Sequence, residues 1–366
     1  MADGTRRLCA ARALTPAGWV DDALISFEGG RLTSIEPRPG HPHDVEVLLP
    51  GFIDLQVNGV DDIDVASADG DDWDRLDHLL LAQGVTSWCP TLVTSRLEAY
   101  AAPLSRIACA MQHPTRRTRI VGAHLEGPFL GSAHGAHRPE LVIDIDLGWL
   151  ETLPAHVALV TLGAEQAAAA AATRLLTARG VAVSIGHTRA DEGQLDAVVD
   201  AGARLVTHLF NGMTGLHHRE PGVAAWALTH PSIAASLIAD GVHVHPRMLR
   251  LAATALGPGR TVLVTDAVAW RATRVGPLGG IDMRDGAPRL ADGTLAGSAL
   301  TMDAALRQMV AAGVPLEQAA QAASTTPAQI LGLADRGALE PGRLADLVAL
   351  DDDLQVVGTW VDGVGQ

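Results

Sequence analysis

The chain reads as an α/β protein, a parallel (β/α)8 barrel of the TIM type carrying a small β module built from both termini. Three observations predict this. Eight apolar strand candidates follow one another between residues 51 and 265, most of them separated by helix-forming segments, and such alternation favours a parallel sheet. Four of these strands run into an ionisable residue, Glu126, His187, His208 and Asp266, as expected at the C-terminal mouth of a barrel. Both termini alternate short apolar runs with turns, and the middle does not.

Taken in order, residues 23–27, 32–35 and 45–49 are strand-like, with a Gly29-Gly30 turn between the first two. The barrel strands are expected at 51–57, 85–89, 120–125, 157–162, 181–185, 204–209, 233–239 and 261–265. Helical spacing marks 73–82 before Gly84. Residues 164–178 are nearly pure helix former, and Gly180 is placed to end that run. Residues 191–201 open on acids, which suit a helix N-terminus. The tail returns to strands at 346–350 and 356–361. The expected division is a small β domain from residues 1–49 and 335–366 and a metal-dependent barrel from 50–334.

Composition removes several function classes. At 366 residues, 48% hydrophobic and 19% charged, the chain can bury a large core and exceeds a plain barrel of about 250 residues. A net charge of −15 and 3% aromatic residues argue against nucleic-acid binding. All 27 basic residues are arginine. With no lysine there is no Schiff base, no P-loop lysine and no carbamylated lysine to bridge two metals. Cys9, Cys89 and Cys109 form neither a CxxC pair nor a disulfide framework. Arg12 interrupts any apolar leader, and no uncharged stretch reaches the roughly 18 residues of a membrane span, so a cytoplasmic location is expected.

Glu126, His187 and His208 offer one carboxylate and two imidazoles. That set suits one divalent ion, zinc first and iron(II), manganese or cobalt as alternatives, with a position left open for water. Asp266 is a candidate acid/base for the same site. Together these parts describe hydrolysis of an amide-like bond. His124 is expected to face away from Glu126 and is read as structural. Many metal-dependent barrel hydrolases carry His-x-His on the first strand, where this chain has Gln56-Val57-Asn58. Neutral amides are poor ligands, so a single metal is expected.

The segments PGFIDLQVNG, HLEGPFL, GAH, GHT, THLFNGM, REPG, ADGVHV, VTDA and GTLAGSALTM, with the tail GALEPGRLADLVALD, resemble the N-acetylglucosamine-6-phosphate deacetylases of the amidohydrolase superfamily. The resemblance implies the barrel with a small β-sandwich domain. It also implies a homodimer in which part of the phosphate pocket crosses the subunit interface. By it, Glu126, His187 and His208 match the metal ligands, Asp266 the acid/base, and His137 the histidine that polarises the substrate carbonyl. Asn211 and Gly212 match the turn that holds the sugar, and Arg219 and His243 match phosphate-binding residues. His217-His218-Arg219 is a local basic cluster in an acidic chain, which suits an anion.

Two departures stand out. Gly212 replaces the usual alanine, and the stretch 269–276 is shorter and more basic than the family's, which bears on substrate preference. The expected reaction is deacetylation of N-acetylglucosamine 6-phosphate. Its rivals are another N-acyl amino sugar or N-acyl amino acid, and a noncatalytic sugar-phosphate sensor.

Overall fold

The computed structural model describes residues 4–113, 118–272 and 280–365. Eight parallel strands form the central sheet in sequence order: Phe52–Val57, Val85–Val93, Ala123–Glu126, Val157–Leu162, Ala182–Ile185, Leu205–Val206, Ala234–Ile238 and Thr261–Val264. Every expected barrel strand is present. The sheet closes just past its last strand, where Asp266 N donates to Gln56 O at 2.9 Å and Asn58 N donates to Ala267 O at 2.8 Å. That closure brings the first strand beside Asp266.

The differences from expectation have local causes. The strand expected at 120–125 is split into Arg119–Ile120 and Ala123–Glu126. Between them Gly122 has φ +142, and a Cβ there would stand 2.4 Å from the Cβ of Ala158. The helix expected from 164 begins only at Ala169 and runs to Ala178. Glu165 is drawn away from it, accepting hydrogen bonds from Ser132 N at 2.8 Å and Arg189 N at 3.0 Å. Tertiary contacts thus override local propensity. The helices Asp72–Leu81 and Glu192–Asp200 lie where expected, the second behind a capping box of Asp191 and Gln194.

Both termini build a separate seven-stranded sheet, in the order Val364–Gly365, Val356–Val361, Leu347–Leu350, Val45–Pro50, Arg6–Thr15, Gly18–Glu28 and Arg31–Pro37. It curls on itself: Leu32 N donates to Arg343 O at 2.9 Å and Ala345 N to Gly30 O at 2.8 Å. The Arg31–Pro37 edge thereby meets the segment leading into Leu347–Leu350, and the sheet wraps a core of Ala10, Ile25, Phe27, Leu48, Leu347 and Ala349.

His124 corrects one expectation. Residues 124 and 126 are two apart on a strand and share a face, because side chains alternate with a period of two. What separates them is depth. His124 is 1% exposed, with Nδ1 3.1 Å from Leu55 O and Nε2 2.8 Å from Thr161 Oγ1. Thr161, Thr207 and Ser184 continue the chain of hydroxyls across the neighbouring strands at 2.9 and 2.5 Å. This buried polar layer is the floor beneath the mouth. The histidine is structural, as expected, for a different reason.

Candidate active site

The ionisable residues that the sequence sets at four strand ends converge at one end of the barrel. Three of them sit in backbone that L-residues seldom adopt: φ is +49 at His187, +32 at His208 and +49 at Asp266. Such conformations are costly and gather at functional sites. Here each turn bends the chain just past its strand, carrying the side chain over the mouth. The His208 turn is held by its own amide, which donates to Ser236 Oγ at 2.7 Å on the next strand.

Glu126 Oε1 lies 3.0 Å from His208 Nε2 and 3.3 Å from His187 Nε2, and the two nitrogens are 3.1 Å apart. Tetrahedral donors about 2.0–2.1 Å from a zinc ion stand about 3.3–3.4 Å apart, so this triangle is close to one face of such a shell. His187 Nδ1 is 3.1 Å from Ala133 O, which keeps its proton on Nδ1 and turns the Nε2 lone pair toward the other two donors. The donor set therefore fits a divalent cation. His137 stands on the other side of the carboxylate, Nε2 3.7 Å from Glu126 Oε2, and the ligating atoms of Glu126, His137 and His187 lie within 4.8 Å of one another. The tighter triangle is the one that includes His208.

Burial pushes the Glu126 carboxyl up, but the imidazoles of His187, His208 and His137 beside it outweigh that and hold the group well below the usual range. For His208 burial works against charging, and contact with Glu126 more than offsets it, so its pKa is raised. His137 is pushed down to about 3, by burial first and then by neighbouring His187, and is neutral.

Asp266 is 8% exposed, and burial, then the charge of Glu126, raises it to about 7. A cation at the trio would lower it again. Its Oδ1 accepts from Asn58 Nδ2 at 2.7 Å and Gln56 Nε2 at 3.1 Å, and Gln56 Nε2 also reaches Glu126 Oε1 at 2.8 Å. The two amides of the first strand thus pin the carboxylates as donors. Below them Asp54, raised to about 7 by burial, accepts from Thr265 Oγ1 at 2.6 Å and steadies the strand end that carries Asp266.

A cavity of about 350 Å³ opens over these groups, within the range of small-molecule sites. Its lining includes Glu126, His137, His187, His208, Asn211, Gly212, His243 and Asp266. His137 Nδ1 is 2.8 Å from Thr94 Oγ1. His243 Nδ1 is 2.6 Å from Asp240 Oδ2, which leaves its Nε2 available. Asn211 ties its amide nitrogen to His208 O at 3.2 Å and keeps its oxygen available. Gly212 has φ +55, and a Cβ there would stand 2.7 Å from His187 Nδ1. Its identity therefore bears on the candidate ligand His187 directly.

Arg219 is not brought in. It lies on an exposed loop, and within one chain it is not part of the lining. The loop after Asp266 is seen only in part, since residues 273–276 of the stretch 269–276 lie outside the described residues.

Sequence reasoning missed three contributors. Thr94 holds the His137 ring, and Glu165 gathers Ser132, Thr188 and Arg189; neither carries a motif. Arg289 lines the cavity from a hairpin, Asp282–Arg284 with Ala287–Arg289, outside the barrel strands. The one available signal for it was its closeness to the GTLAGSALTM segment.

A profile of the Amidohydrolase family matches residues 47–364. The chain is 40% identical to an N-acetylgalactosamine-6-phosphate deacetylase of Escherichia coli O157:H7, covering 98% of each chain. It is 36% identical to an N-acetylglucosamine-6-phosphate deacetylase of Vibrio furnissii, over 97% of this chain and 93% of that one. Among solved structures it resembles a mutant N-acetyl-D-glucosamine-6-phosphate deacetylase from Mycobacterium smegmatis in complex with N-acetyl-D-glucosamine-6-phosphate. That match has a TM-score of 0.91 and 33% identity, over 99% of both chains.

Proposed function

The chain belongs to the amidohydrolase family, and on that premise we propose that it hydrolyses the N-acetyl group of N-acetylglucosamine 6-phosphate to give glucosamine 6-phosphate and acetate. The observation that carries this reading is a protonatable carboxylate, Asp266, fixed beside a Glu/His/His donor triangle in a cavity of small-molecule size. A noncatalytic sensor has no use for that arrangement.

Glu126, His187 and His208 would hold one divalent ion, zinc in the first instance, which supplies Lewis acidity and makes a water acidic near neutral pH. Asp266 takes the proton from the attacking water. With Oδ1 held by two amides, Oδ2 is the oxygen available for it. His137 orients and polarises the acetyl carbonyl: in the tautomer with its proton on Nε2 and Nδ1 turned to Thr94 Oγ1, the neutral ring donates a hydrogen bond to the carbonyl oxygen, which gains negative charge as the tetrahedral centre forms. Asp266 then returns its proton to the departing amine, so one water is consumed and the amide C–N bond is cleaved.

Asn211 and Gly212 hold the sugar, and His243 with Arg219 meets the phosphate. The family resemblance implies a homodimer in which part of the phosphate pocket crosses the interface, and the place of Arg219 off the lining of its own chain fits service to a neighbouring subunit. We assign residues 50–334 to the catalytic unit and 1–49 with 335–366 to the β domain. Among the described residues no helix is long and apolar enough to cross a membrane, and a cytoplasmic location belongs to this reading.

The 40% identity to a galactosamine-type enzyme supports a second reading in which the C4 epimer is the better substrate. Acetate release decides among these readings, measured side by side on N-acetylglucosamine 6-phosphate, N-acetylgalactosamine 6-phosphate and unphosphorylated N-acetylglucosamine, with metal-loaded and chelator-treated protein. Metal-dependent turnover favouring the phosphorylated glucosamine is expected. Preference for the epimer would move the assignment to the second reading, and no turnover of any of the three would overturn both.

A further inference from the structure

Among the described residues Arg289 is the arginine that lines the cavity. It ends the hairpin strand Ala287–Arg289 and bridges backbone to backbone with Leu295. Thr294, Leu295 and Gly297 on the return segment also line the cavity. Gly297 packs against the exit of the last barrel strand, so closely that a Cβ on it would stand 2.8 Å from Asp266 O. The hairpin is thereby tied to the acid/base end of the site.

Other half-buried arginines spend several donors on backbone carbonyls or pair with a carboxylate. Arg106 donates to Ala66 O and Ala68 O, Arg260 to His230 O, Ile233 O and Ala255 O, and Arg307 pairs with Asp303. Arg289 does not. Nη1 donates to Gly293 O at 2.8 Å, Nε is buried without a partner, and among the described residues no carboxylate forms an ion pair with it. A guanidinium carries five N–H donors in a planar fork suited to phosphate oxygens. Holding one partly out of water with no counter-charge is unfavourable unless a ligand brings that charge.

We infer that Arg289 is a second arginine for the substrate's phosphate, supplied with His243 from the lining of the same subunit and acting beside the Arg219 that a neighbouring subunit would bring. The inference rests on the proposed function for the identity of the anion. Its consequence is that each chain carries a charged determinant of phosphate preference without help from a neighbour.

The test compares wild type, Arg289→Gln and Arg289→Lys on N-acetylglucosamine 6-phosphate and N-acetylglucosamine, and follows the melting temperature of each as inorganic phosphate is added. In Arg289→Gln, KM for the phosphorylated sugar should rise about 10- to 100-fold, with kcat and the unphosphorylated substrate moved less than about 3-fold. Arg289→Lys should recover part of the loss, and phosphate should stabilise wild type but not Arg289→Gln. Equal losses on both sugars, or unchanged KM with phosphate stabilisation intact, would overturn the inference while leaving the deacetylase reading in place. If wild type turned over neither sugar the deacetylase reading would fall, and the phosphate titration would still decide whether Arg289 is an anion site.

Discussion

His124 and His208 lie on neighbouring layers of the barrel interior, 1% and 4% exposed, yet they settle their polarity in opposite ways. Both ring nitrogens of His124 have ordinary partners, a carbonyl and a hydroxyl, and the hydroxyl chain beyond it is paired link by link. His208 points Nε2 at a carboxylate oxygen and at another imidazole nitrogen, and its Nδ1 has no hydrogen-bond partner. A floor of satisfied pairs is self-sufficient. A mouth in which electron-rich atoms face one another at about 3 Å is complete only with a cation. Burial and residue type are nearly the same in both layers, so what distinguishes structure from function is the pairing.

That contrast can be broken most severely at Asp266, the proposed acid/base. Asp266→Asn should lower kcat by about 10³-fold or more while metal stoichiometry and ligand binding stay near wild type. Turnover within about tenfold of wild type would remove Asp266 from the role given to it.

Next comes a crossed pair of histidine substitutions. His208→Gln should drop the metal content from about one per chain toward zero and leave the melting temperature of the metal-free protein little changed. His124→Leu should do the reverse, keeping the metal and costing about 2–4 kcal/mol of stability, because it removes the ring's buried hydrogen bonds to Leu55 O and Thr161 Oγ1. Metal analysis with paired melts in chelator reads both. If His124→Leu lost the ion and kept its stability, the division into floor and mouth would be wrong.

Asp54 sharpens the comparison through pH. Burial raises its folded pKa to about 7 from the ordinary aspartate value of 3.8. Between those values the folded chain holds a proton that the unfolded chain has released. Stability from this group is therefore full below about pH 4, falls as pH rises toward 7, and is flat above, a change on the order of a few kcal/mol. Asp54→Asn should flatten that slope in melts taken from pH 5 to 8. An unchanged slope would assign it to other groups.

The smallest effect is expected at Gly212. An alanine there adopts φ +55 at about 1–2 kcal/mol and crowds His187 Nδ1. Gly212→Ala should weaken metal retention by less than about tenfold, measured by competition with a chelator. No change at all would mean that the turn relaxes freely.

Much of this molecule was legible before folding. The barrel strands and most helix positions follow from apolar runs bounded by glycines and caps, which are local signals of chemistry and spacing. Glu126, His187, His208 and Asp266 could be named because each stands just past such a run, and that address is itself local. The late start of the helix after Glu165 was hidden, since its cause lies in Ser132 and Arg189, more than twenty residues away on either side. The true direction of His124 needed only the period of a strand, but its depth needed the barrel.

By itself, then, the sequence determined the fold class, the order of the elements and the kinds of side chain that reach the mouth, because hydrophobic periodicity and turn chemistry act over a few residues. Tertiary structure alone decided which nitrogen faces which oxygen, that Gln56 and Asn58 pin the carboxylates, and that Arg289 stands in the cavity wall and Arg219 outside it. Those are distances between groups up to 210 residues apart, and only closure of the barrel brings them within reach of one another.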